Sequence, residues 1–578
     1  MTTDAADNTL GLERLRAAIL ADTARLRGYE KPAETLTYEV VRVLDSLFCE
    51  DLFGSSGPSG ESDFIFKKLS TWGINHALRR VLPRMPAPGP FRDFRSTPDY
   101  HEQASEFVFR CGILAQAERL ESALRQGVLS AELRPYPVSA DDIGMTDILI
   151  LRSQNTTFAD EDIGRAGLNW ASNIAWAKDR GIEKKLEQRH RKLEPLLHRH
   201  VRLVDGWRME MAPNLDIDLY FLDWARLYLR RIYSQDMIGA DDLLGGRPFS
   251  SYVEVLAALS AMSQKRLAYT AILRARNPSV EIRNLLTSYV EREVLIGDLA
   301  NITGMQASEI AEILPCLTLS GENLDVHTSG GDPAWPPLIK ASEDFCILPT
   351  FGLEINPFLF LLADLRSRFK DDWFKIANNR EGRWIEEFDL LFQEPRWKTH
   401  TKNLDLKDQG KVLTDLDFVA LDVKTNELAI FQLKWQFPVS VDSRSRRSTG
   451  KNLLDESNKW VERVTGWLDK YGTIELARRL GFEVTEAPAA QLFVLGRYHA
   501  HLAGYDARDS RALWSDWAHF KRARTENPKK SPSQLARELR SAIVRSKGRN
   551  KPESTMIPVG TVSVLLNPTQ VPDLIDPE

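Results

Sequence analysis

The stretch between residues 382 and 436 constrains the fold of this chain more than any other. It opens with an amphipathic helical segment, GRWIEEFDLLF, and continues with strand-like runs that carry first Asp415 and Asp417 and then Gln432 and Lys434. Side chains two residues apart in a strand point to the same face. The short turn between the two polar pairs, residues 423–427, predicts a hairpin that brings them side by side.

These two polar pairs are suited to metal-assisted chemistry. A carboxylate beside further oxygen ligands can hold a hard cation such as Mg²⁺. A lysine directed at the same space can orient a bound water or offset charge on a pentavalent phosphate. On spacing alone, an ordinary cross-strand ion pair between Asp and Lys explains the pattern equally well.

The order of these elements extends beyond the hairpin. A helix with Glu, a strand with Asp (TDLDFVAL), a strand with Gln-x-Lys (FQLKWQ), a helix and a further strand (AQLFVLG) follow one another. This order resembles the PD-(D/E)XK nuclease superfamily, and most closely the Mrr-type enzymes of its restriction-endonuclease-like branch, which often carry Gln in place of the second acid. The resemblance covers roughly residues 376–500, under a quarter of the chain.

The resemblance implies roles for individual residues. It makes Asp417 the metal-binding acid, with the Gln432 amide or the Leu433 carbonyl as a second ligand, and it makes Lys434 the residue that positions the attacking water. The segment GRWIEEF resembles the family's helix start and nominates Glu386 as a further ligand. The implied cofactor is Mg²⁺, for which Mn²⁺ can substitute.

Two residues are kept as reserve candidates for the same site. Glu387 lies nearer than Glu386 to the apolar stripe of the helix, and Asp415 precedes Asp417 by one strand repeat. The neutral Gln432 leaves the site one acidic ligand short of the Asp/Glu version. The alternative is therefore a catalytically degenerate nuclease fold that acts as a DNA-docking scaffold.

Basic residues follow the proposed catalytic strand. Arg444, Arg446, Arg447 and Lys451 crowd a predicted loop, where they could neutralise a phosphate backbone, although a solvated loop would look the same. Residues 519–551 are the most basic stretch of the chain, whose overall charge is −5. This asymmetry fits a polyanionic partner such as DNA.

The composition of the chain limits the cellular compartments in which we expect the protein. Four widely spaced cysteines, without a Cys-x-x-Cys pair, argue against a zinc module and against a disulfide framework. The N-terminal segment lacks a signal-peptide pattern, and no apolar run is long enough to span a membrane. We therefore expect a cytoplasmic protein without a membrane partner.

The predicted fold class is α+β and multidomain, with a mostly helical N-terminal region and a C-terminal α/β restriction-endonuclease-like domain built on a mixed central sheet. We expect a helical region that splits near residues 90–100, a connector with a β-hairpin and an apolar helix, a nuclease-like domain, and a basic tail with a terminal strand. These cover residues 1–320, 321–375, 376–505 and 506–578, respectively.

Two helical segments offer competing interpretations. Residues 294–314 have a helix-turn-helix pattern, but its exposed side would include Glu309 and Glu312, which face phosphates unfavourably, so we favour a packing motif. Residues 180–200 are rich in basic residues, and we interpret them as a solvated basic helix. The histidines of that segment do not converge on one helix face, which disfavours a metal site.

Taken together, the sequence predicts a metal-dependent endonuclease that hydrolyses DNA phosphodiester bonds. By analogy alone, a role in prokaryotic defence against foreign DNA would suit it, with the helical region as a sensor or assembly surface for a homo-oligomer or for partner proteins. A helix-turn-helix regulator without nuclease activity is a third hypothesis.

Overall fold

The computed structural model describes most of the chain. The described residues are 3–27, 33–49, 53, 61–84, 93–127, 129–135, 147–153, 158–233, 238–330, 333–435, 443–498, 500, 508–546 and 555–567. Among the described residues, no helix is long and apolar enough to cross a membrane.

Helices occupy the larger share of the described residues. They are α1 (Thr3–Arg27), α2 (Ala33–Cys49), α3 (Glu61–Val81), α4 (Pro98–Arg125), α5 (Phe158–Arg199), α6 (Leu215–Tyr233), α7 (Phe249–Arg276), α8 (Arg283–Leu286), α9 (Arg292–Thr303), α10 (Ala307–Ile313), α11 (Leu324–Thr328), α12 (Thr350–Glu354), α13 (Pro357–Arg368), α14 (Lys370–Asp389), α15 (Ser443–Arg479), α16 (Trp517–Glu526) and α17 (Pro532–Ser546).

The strands form three larger sheets and three two-stranded ones. They are β1 (Leu129–Pro135), β2 (Asp147–Ser153), β3 (Val201–Val204), β4 (Arg208–Met211), β5 (Leu243–Leu244), β6 (Arg247–Pro248), β7 (Ser288–Glu291), β8 (Thr318–Leu319), β9 (Leu338–Lys340), β10 (Phe345–Leu348), β11 (Trp397–His400), β12 (Leu404–Asp408), β13 (Lys411–Leu416), β14 (Phe418–Asp422), β15 (Glu427–Lys434), β16 (Ala489–Gly496), β17 (Ala512–Asp516), β18 (Thr555–Val559) and β19 (Val562–Leu566). The mixed α+β class predicted from the sequence is therefore correct at this coarse level.

A five-stranded mixed sheet organises the C-terminal part, in the order β11-β14-β15-β16-β17. Strand β14 runs antiparallel to β11 and to β15, whereas β15, β16 and β17 run parallel to one another. The predicted hairpin is β14–β15, with Phe418 opposite Phe431 and Asp422 opposite Glu427. The further strand predicted at AQLFVLG is β16, but it is not the last strand of the core, because β17 follows it in the sheet.

Each face of this sheet is covered by helices. On one face Leu428 and Ile430 pack with Trp460, Val464 and Trp467 of α15. The opposite face is aromatic, with Trp384, Phe388, Phe418, Phe431 and Phe520 from α14, the sheet and α16 in one buried cluster. Because both faces are covered, the strands read as nearly continuous apolar runs rather than as an alternating pattern.

The predicted boundary near residue 505 does not divide the structure. Strand β17 adds a fifth strand beside β16, and Phe520 of α16 and Leu539 of α17 enter the aromatic cluster of the sheet. The segment predicted to be a basic tail therefore belongs largely to the same layer as the proposed nuclease-like domain.

The C-terminal strands return to the other end of the chain. Strand β19 pairs in parallel with β2 and antiparallel with β18, which gives a four-stranded sheet β1-β2-β19-β18. Val562 and Val564 are fully buried in the cluster that also holds Leu15 and Leu149. The predicted terminal strand is confirmed, and its partners lie in the N-terminal region.

The predicted boundary near residue 320 is also continuous with its surroundings. Strand β8 pairs with β9, and β7 pairs with β10, so one sheet spans residues 288–348. Trp335, within the predicted connector, is buried. The predicted hairpin and the apolar helix that follows it are confirmed as β9–β10 and α13.

The helix-turn-helix segment consists of α9 and α10, joined by Gly304 in the left-handed conformation (φ 74°). Ile310 and Ile313 are fully buried, and Glu312 forms an ion pair with Arg247. The second helix is thus packed against its own chain, in agreement with the packing interpretation.

Candidate functional site

The polar pairs of β13–β14 and β15 meet where two sheets join. The hairpin β12–β13 leads directly into β14, and Asp417 lies at the bend between the two strands. Continuing the register of Phe418 with Phe431 by one residue places Asp417 beside Gln432, and Asp415 and Lys434 are both close enough to Asp417 for their charges to act on its carboxyl group. The structure therefore brings these four residues together, as the hairpin prediction required.

Asp417 is held by two hydrogen bonds to one of its oxygens. Its Oδ2 accepts from the Gln432 amide nitrogen at 2.6 Å and from the Leu433 backbone N–H at 2.6 Å. The N–H and C=O of a strand residue point to the same side. The Leu433 carbonyl is consequently directed to the side of the strand on which Asp417 lies.

The carboxyl group of Asp417 is buried, and burial disfavours its ionised form. Burial raises its pKa to about 6, and the neighbouring carboxylate of Asp415 adds to the rise. The hydrogen bonds from Leu433 and Gln432 and the charge of Lys434 act in the opposite direction. A cation at this point would relieve the unfavourable energy of the ionised form.

Glu381 of α14, whose side chain is partly exposed, is close enough to Asp415 and Lys434 for their charges to act on it, and the sequence analysis missed it. Burial raises its pKa, the positive charge of Lys434 lowers it, and the carboxylate of Asp415 raises it. Glu381 therefore interacts electrostatically with both polar pairs. It lies three residues before the buried Trp384, so the two side chains are about 60° apart on the helix. This spacing was available in the sequence.

The two glutamates nominated from the helix motif lie elsewhere. Glu386 is exposed and follows Trp384 by two residues, about 200° around the helix, so it points away from the sheet. Glu387 forms ion pairs with Arg497 and Lys521. The structure brings neither residue to Asp417. The motif match began the helix near Gly382, whereas α14 already begins at Lys370.

Helix α15 anchors the hairpin that carries Asp415. The indole N–H of Trp460 donates to the Asp415 carbonyl at 2.8 Å, and that of Trp467 donates to the Lys407 carbonyl at 3.1 Å. The side chain of Asp408, near the hairpin turn, bonds to Lys470. These contacts fix the backbone position of the strand that leads into Asp417.

The end of β15 is supported from behind by a buried cation. The backbone N–H of Arg497 donates to the Lys434 carbonyl at 2.9 Å. The Arg497 guanidinium lies 5.5 Å from the ring centre of Trp384 and 5.4 Å from that of Trp435, and it pairs with Glu387. Glu387 therefore helps to position Arg497 and, through it, the end of β15.

The donors at this point are oxygens. They are the carboxylates of Asp417 and Glu381, the carbonyl of Leu433 and the amide oxygen of Gln432, which a rotation of the amide would present. Oxygen donors suit Mg²⁺, which keeps several waters and needs few protein ligands. No group of three His, Cys, Asp or Glu side chains is placed to hold a metal within the described ranges. The residues nevertheless fit a site that combines side-chain and backbone oxygens.

The predicted basic loop after β15 is helical. Residues 443–451 form the first turns of α15 rather than a loop. Lys451 is exposed. The side chains of Arg444, Arg446 and Arg447 lie outside the described part of the chain, so their assignment to phosphate contacts stays a prediction.

Comparisons with protein-family models, with curated proteins and with solved structures found no match to this chain. The chemistry of the site is accordingly inferred from its residues and their geometry.

Proposed function

We propose that this protein is a metal-dependent nuclease that hydrolyses DNA phosphodiester bonds at the junction of β13, β14 and β15. The observation that carries the proposal is the placement of the Asp417 carboxylate against Gln432 and Leu433 at 2.6 Å, with Lys434 close enough for its charge to act on that carboxylate. A restriction-endonuclease-like domain and a role in defence belong to the same proposal, on the resemblance of the motifs.

Each residue has a separate task in this mechanism. Asp417, Glu381 and the Leu433 carbonyl would hold Mg²⁺, with the Gln432 amide as a further ligand. Mg²⁺, when bound, supplies Lewis-acid polarisation of a phosphoryl oxygen and a water of lowered pKa. The Lys434 ammonium orients the attacking water and stabilises the negative charge that develops on the phosphate.

The local electrostatics favour this arrangement. The charges of Asp415 and Lys434 act on both Asp417 and Glu381, so these four residues, when ionised, carry three negative charges and one positive charge. A divalent cation balances this excess, and a phosphate then meets a neutral or positive centre.

A cleavage assay tests the proposal. Wild-type protein and the Lys434→Ala variant would each be incubated with supercoiled plasmid, linear duplex DNA, single-stranded DNA or RNA, in the presence of Mg²⁺, Mn²⁺ or EDTA. We expect metal-dependent cutting of DNA that falls at least about 100-fold in Lys434→Ala. Lys424→Ala removes an exposed lysine from the turn of the same hairpin and serves as the matched control.

The outcomes separate the proposal from its alternative. Cutting that survives Lys434→Ala, or that does not require a metal, would contradict the assigned site. Binding of DNA without cutting by any protein would favour a docking scaffold. The neutral Gln432, whose amide nitrogen donates to Asp417, is the observation that keeps this second function in view.

A further inference from the structure

The second half of α5 presents a basic face to solvent. The helix is 42 residues long, and Leu186, Leu193 and Leu197 bury one side of it against α6 and α7. Exposed cations occupy the other side. They are Lys178, Arg180, Lys184, Lys185, Arg191, Lys192 and Arg199.

Four of these cations form a line along the helix. Lys178, Lys185, Lys192 and Arg199 are spaced by seven residues, which displaces each by only about 20° around the axis from the one before. The line extends over about 32 Å at 1.5 Å per residue. The remaining three cations, Arg180, Lys184 and Arg191, widen it on the side away from the leucines.

These cations have no partner within the described ranges of the chain. None of the seven forms an ion pair or a side-chain hydrogen bond with a described residue. Other cations nearby are paired, as Arg189 is with Asp223 and Arg230 with Asp179.

Several cations of the most basic stretch in the sequence, residues 519–551, form ion pairs with other described residues, unlike those on the face of α5. Lys521 pairs with Glu387, Arg522 with Glu526, and Lys530 with Glu538. Arg524 is buried and donates to the carbonyl of Pro528. Much of the positive charge between residues 519 and 546 therefore serves the fold of the C-terminal layer, and the face of α5 offers more free charge.

Helix α5 is joined to the layer that carries the candidate site. It contacts α16 and α17, which pack on the five-stranded sheet, as well as α6 and α7. A helix that packs on this layer as well as on α6 and α7 can hold a long ligand in a constant relation to the layer. A duplex is such a ligand, with one phosphate charge per about 1.7 Å of its axis.

We infer that the exposed face of α5 is a second contact surface for duplex DNA, in which the line of Lys178, Lys185, Lys192 and Arg199 neutralises backbone phosphates. The inference rests on the proposed DNA substrate and adds the surface that holds the duplex outside the candidate site. The contacts are to phosphates and therefore independent of base sequence.

Salt dependence of DNA binding tests this surface. A fluorescently labelled 30-base-pair duplex would be titrated in EDTA at several KCl concentrations with wild-type protein and with a quadruple variant. The variant combines Lys178→Gln, Lys185→Gln, Lys192→Gln and Arg199→Gln. Each phosphate contact contributes about 0.9 to the slope of log affinity against log salt, so we expect the slope to fall by about 3 to 4.

A second quadruple variant controls for net charge. It combines Arg110→Gln, Arg202→Gln, Arg208→Gln and Arg478→Gln, four exposed cations that each have an acidic partner. The charge change is the same, and we expect the slope to change by less than about 1. Circular dichroism melts would show that both variants are folded.

The outcomes are distinct from those of the cleavage assay. An unchanged slope in the α5 variant, an equal fall in the control, or the absence of duplex DNA binding by wild type would overturn this inference. Stronger binding of duplex RNA than of DNA would overturn DNA as the ligand. Lys434→Ala removes one cation from the candidate site and should lower the slope by no more than about 1. If no protein cuts DNA but the α5 variant alone loses slope, the surface stands and the proposed nuclease function fails.

Discussion

At the residue scale, the site is a set of carboxylates placed where their charge is unfavourable. Burial raises the pKa of both Asp417 and Glu381, and Lys434 is the cation that lowers both. Groups with perturbed pKa values that lie close together are candidates for function, because catalytic and metal-binding groups need pKa values that differ from the ordinary ones.

Glu381 and Glu386 provide a direct comparison on one helix. We expect Glu381→Gln to lower metal-dependent cleavage by about 10- to 100-fold, because it removes a carboxylate from the proposed metal site. Glu386→Gln should leave cleavage within about twofold of wild type, since that side chain is exposed on the far side of α14. Initial rates over a range of Mg²⁺ concentrations would measure both. Equal losses in the two variants would show that the helix was assigned the wrong face.

Asp417 should couple stability to pH. Its pKa in the folded protein, about 6, lies above its ordinary value of 3.8, so the folded state holds the proton more tightly than the unfolded state does. The stabilising effect of that proton is present at low pH and is lost as the pH rises through about 6. Cleavage requires the ionised carboxylate, so we expect kcat/KM to fall below about pH 6.

The Asp417→Asn variant therefore separates stability from activity. At pH 8 in EDTA we expect it to be more stable than wild type by about 1–3 kcal/mol, because it cannot carry the buried charge. The difference should shrink below pH 5, while cleavage is lost throughout. Denaturant unfolding at both pH values would measure it, with the exposed Asp405→Asn as control. A variant less stable than wild type at pH 8 would contradict the assigned environment.

At the scale of elements, α14 is fixed to the helical region on either side of Glu381. Arg383 donates to Asp242 through two nitrogens at 2.6 and 2.8 Å, and Asn379 donates to the same carboxylate. Asp242 is buried, which acts to raise its pKa, but the hydrogen bonds from Arg383 and from the Gly239 N–H hold the pKa below its usual value. The loop between α6 and α7 thereby positions the turn of α14 that carries Glu381.

Breaking this pair should affect both stability and the site. We expect Arg383→Gln to cost about 2–4 kcal/mol, because it leaves the carboxylate of Asp242 buried with fewer donors. Cleavage should also fall as the position of Glu381 is relaxed. Lys375→Gln, in an exposed ion pair with Asp372 on the same helix, should cost less than about 0.5 kcal/mol. Chemical denaturation would measure both, and equal effects would mean that Asp242 does not anchor α14.

At the scale of the whole molecule, strands from the N-terminal and C-terminal parts of the chain pair in one sheet. The hairpin β18–β19 pairs with β1 and β2 in one four-stranded sheet. Along the chain, the residues of the layer with the candidate site come after β2 and before β18. A change in either terminal region can therefore affect a core formed by both.

Val564 and Met556 test this pairing. Val564 is fully buried in the central strand β19, whereas Met556 in β18 is 50% exposed. We expect Val564→Asp to destabilise the N-terminal sheet by more than about 3 kcal/mol, because it buries an unpaired carboxylate, while Met556→Asp stays within about 1 kcal/mol of wild type. Limited proteolysis mapped by mass spectrometry would detect the opening. Similar protection in both variants would show that β19 is not central to that sheet.

Local features of the sequence were sufficient for the central hairpin and its polar pairs. The apolar runs of β14 and β15, the short turn between them and the positions of Asp417, Gln432 and Lys434 depend on contacts between near neighbours, which periodicity reports directly. The hairpin β9–β10 and the helices α13 and α15 were predictable for the same reason.

Only the tertiary structure decided which helix carboxylate joins the site and where the chain ends pair. Glu381 was missed because the facing side of α14 depends on where the helix begins and on what packs against it. The pairing of β19 with β2 joins residues about 400 positions apart, and the partners of Lys521 and Lys530 are likewise set by packing. Local periodicity and composition carry no information about such distant contacts, so a basic stretch in sequence became part of a folded layer while α5 kept its charges free.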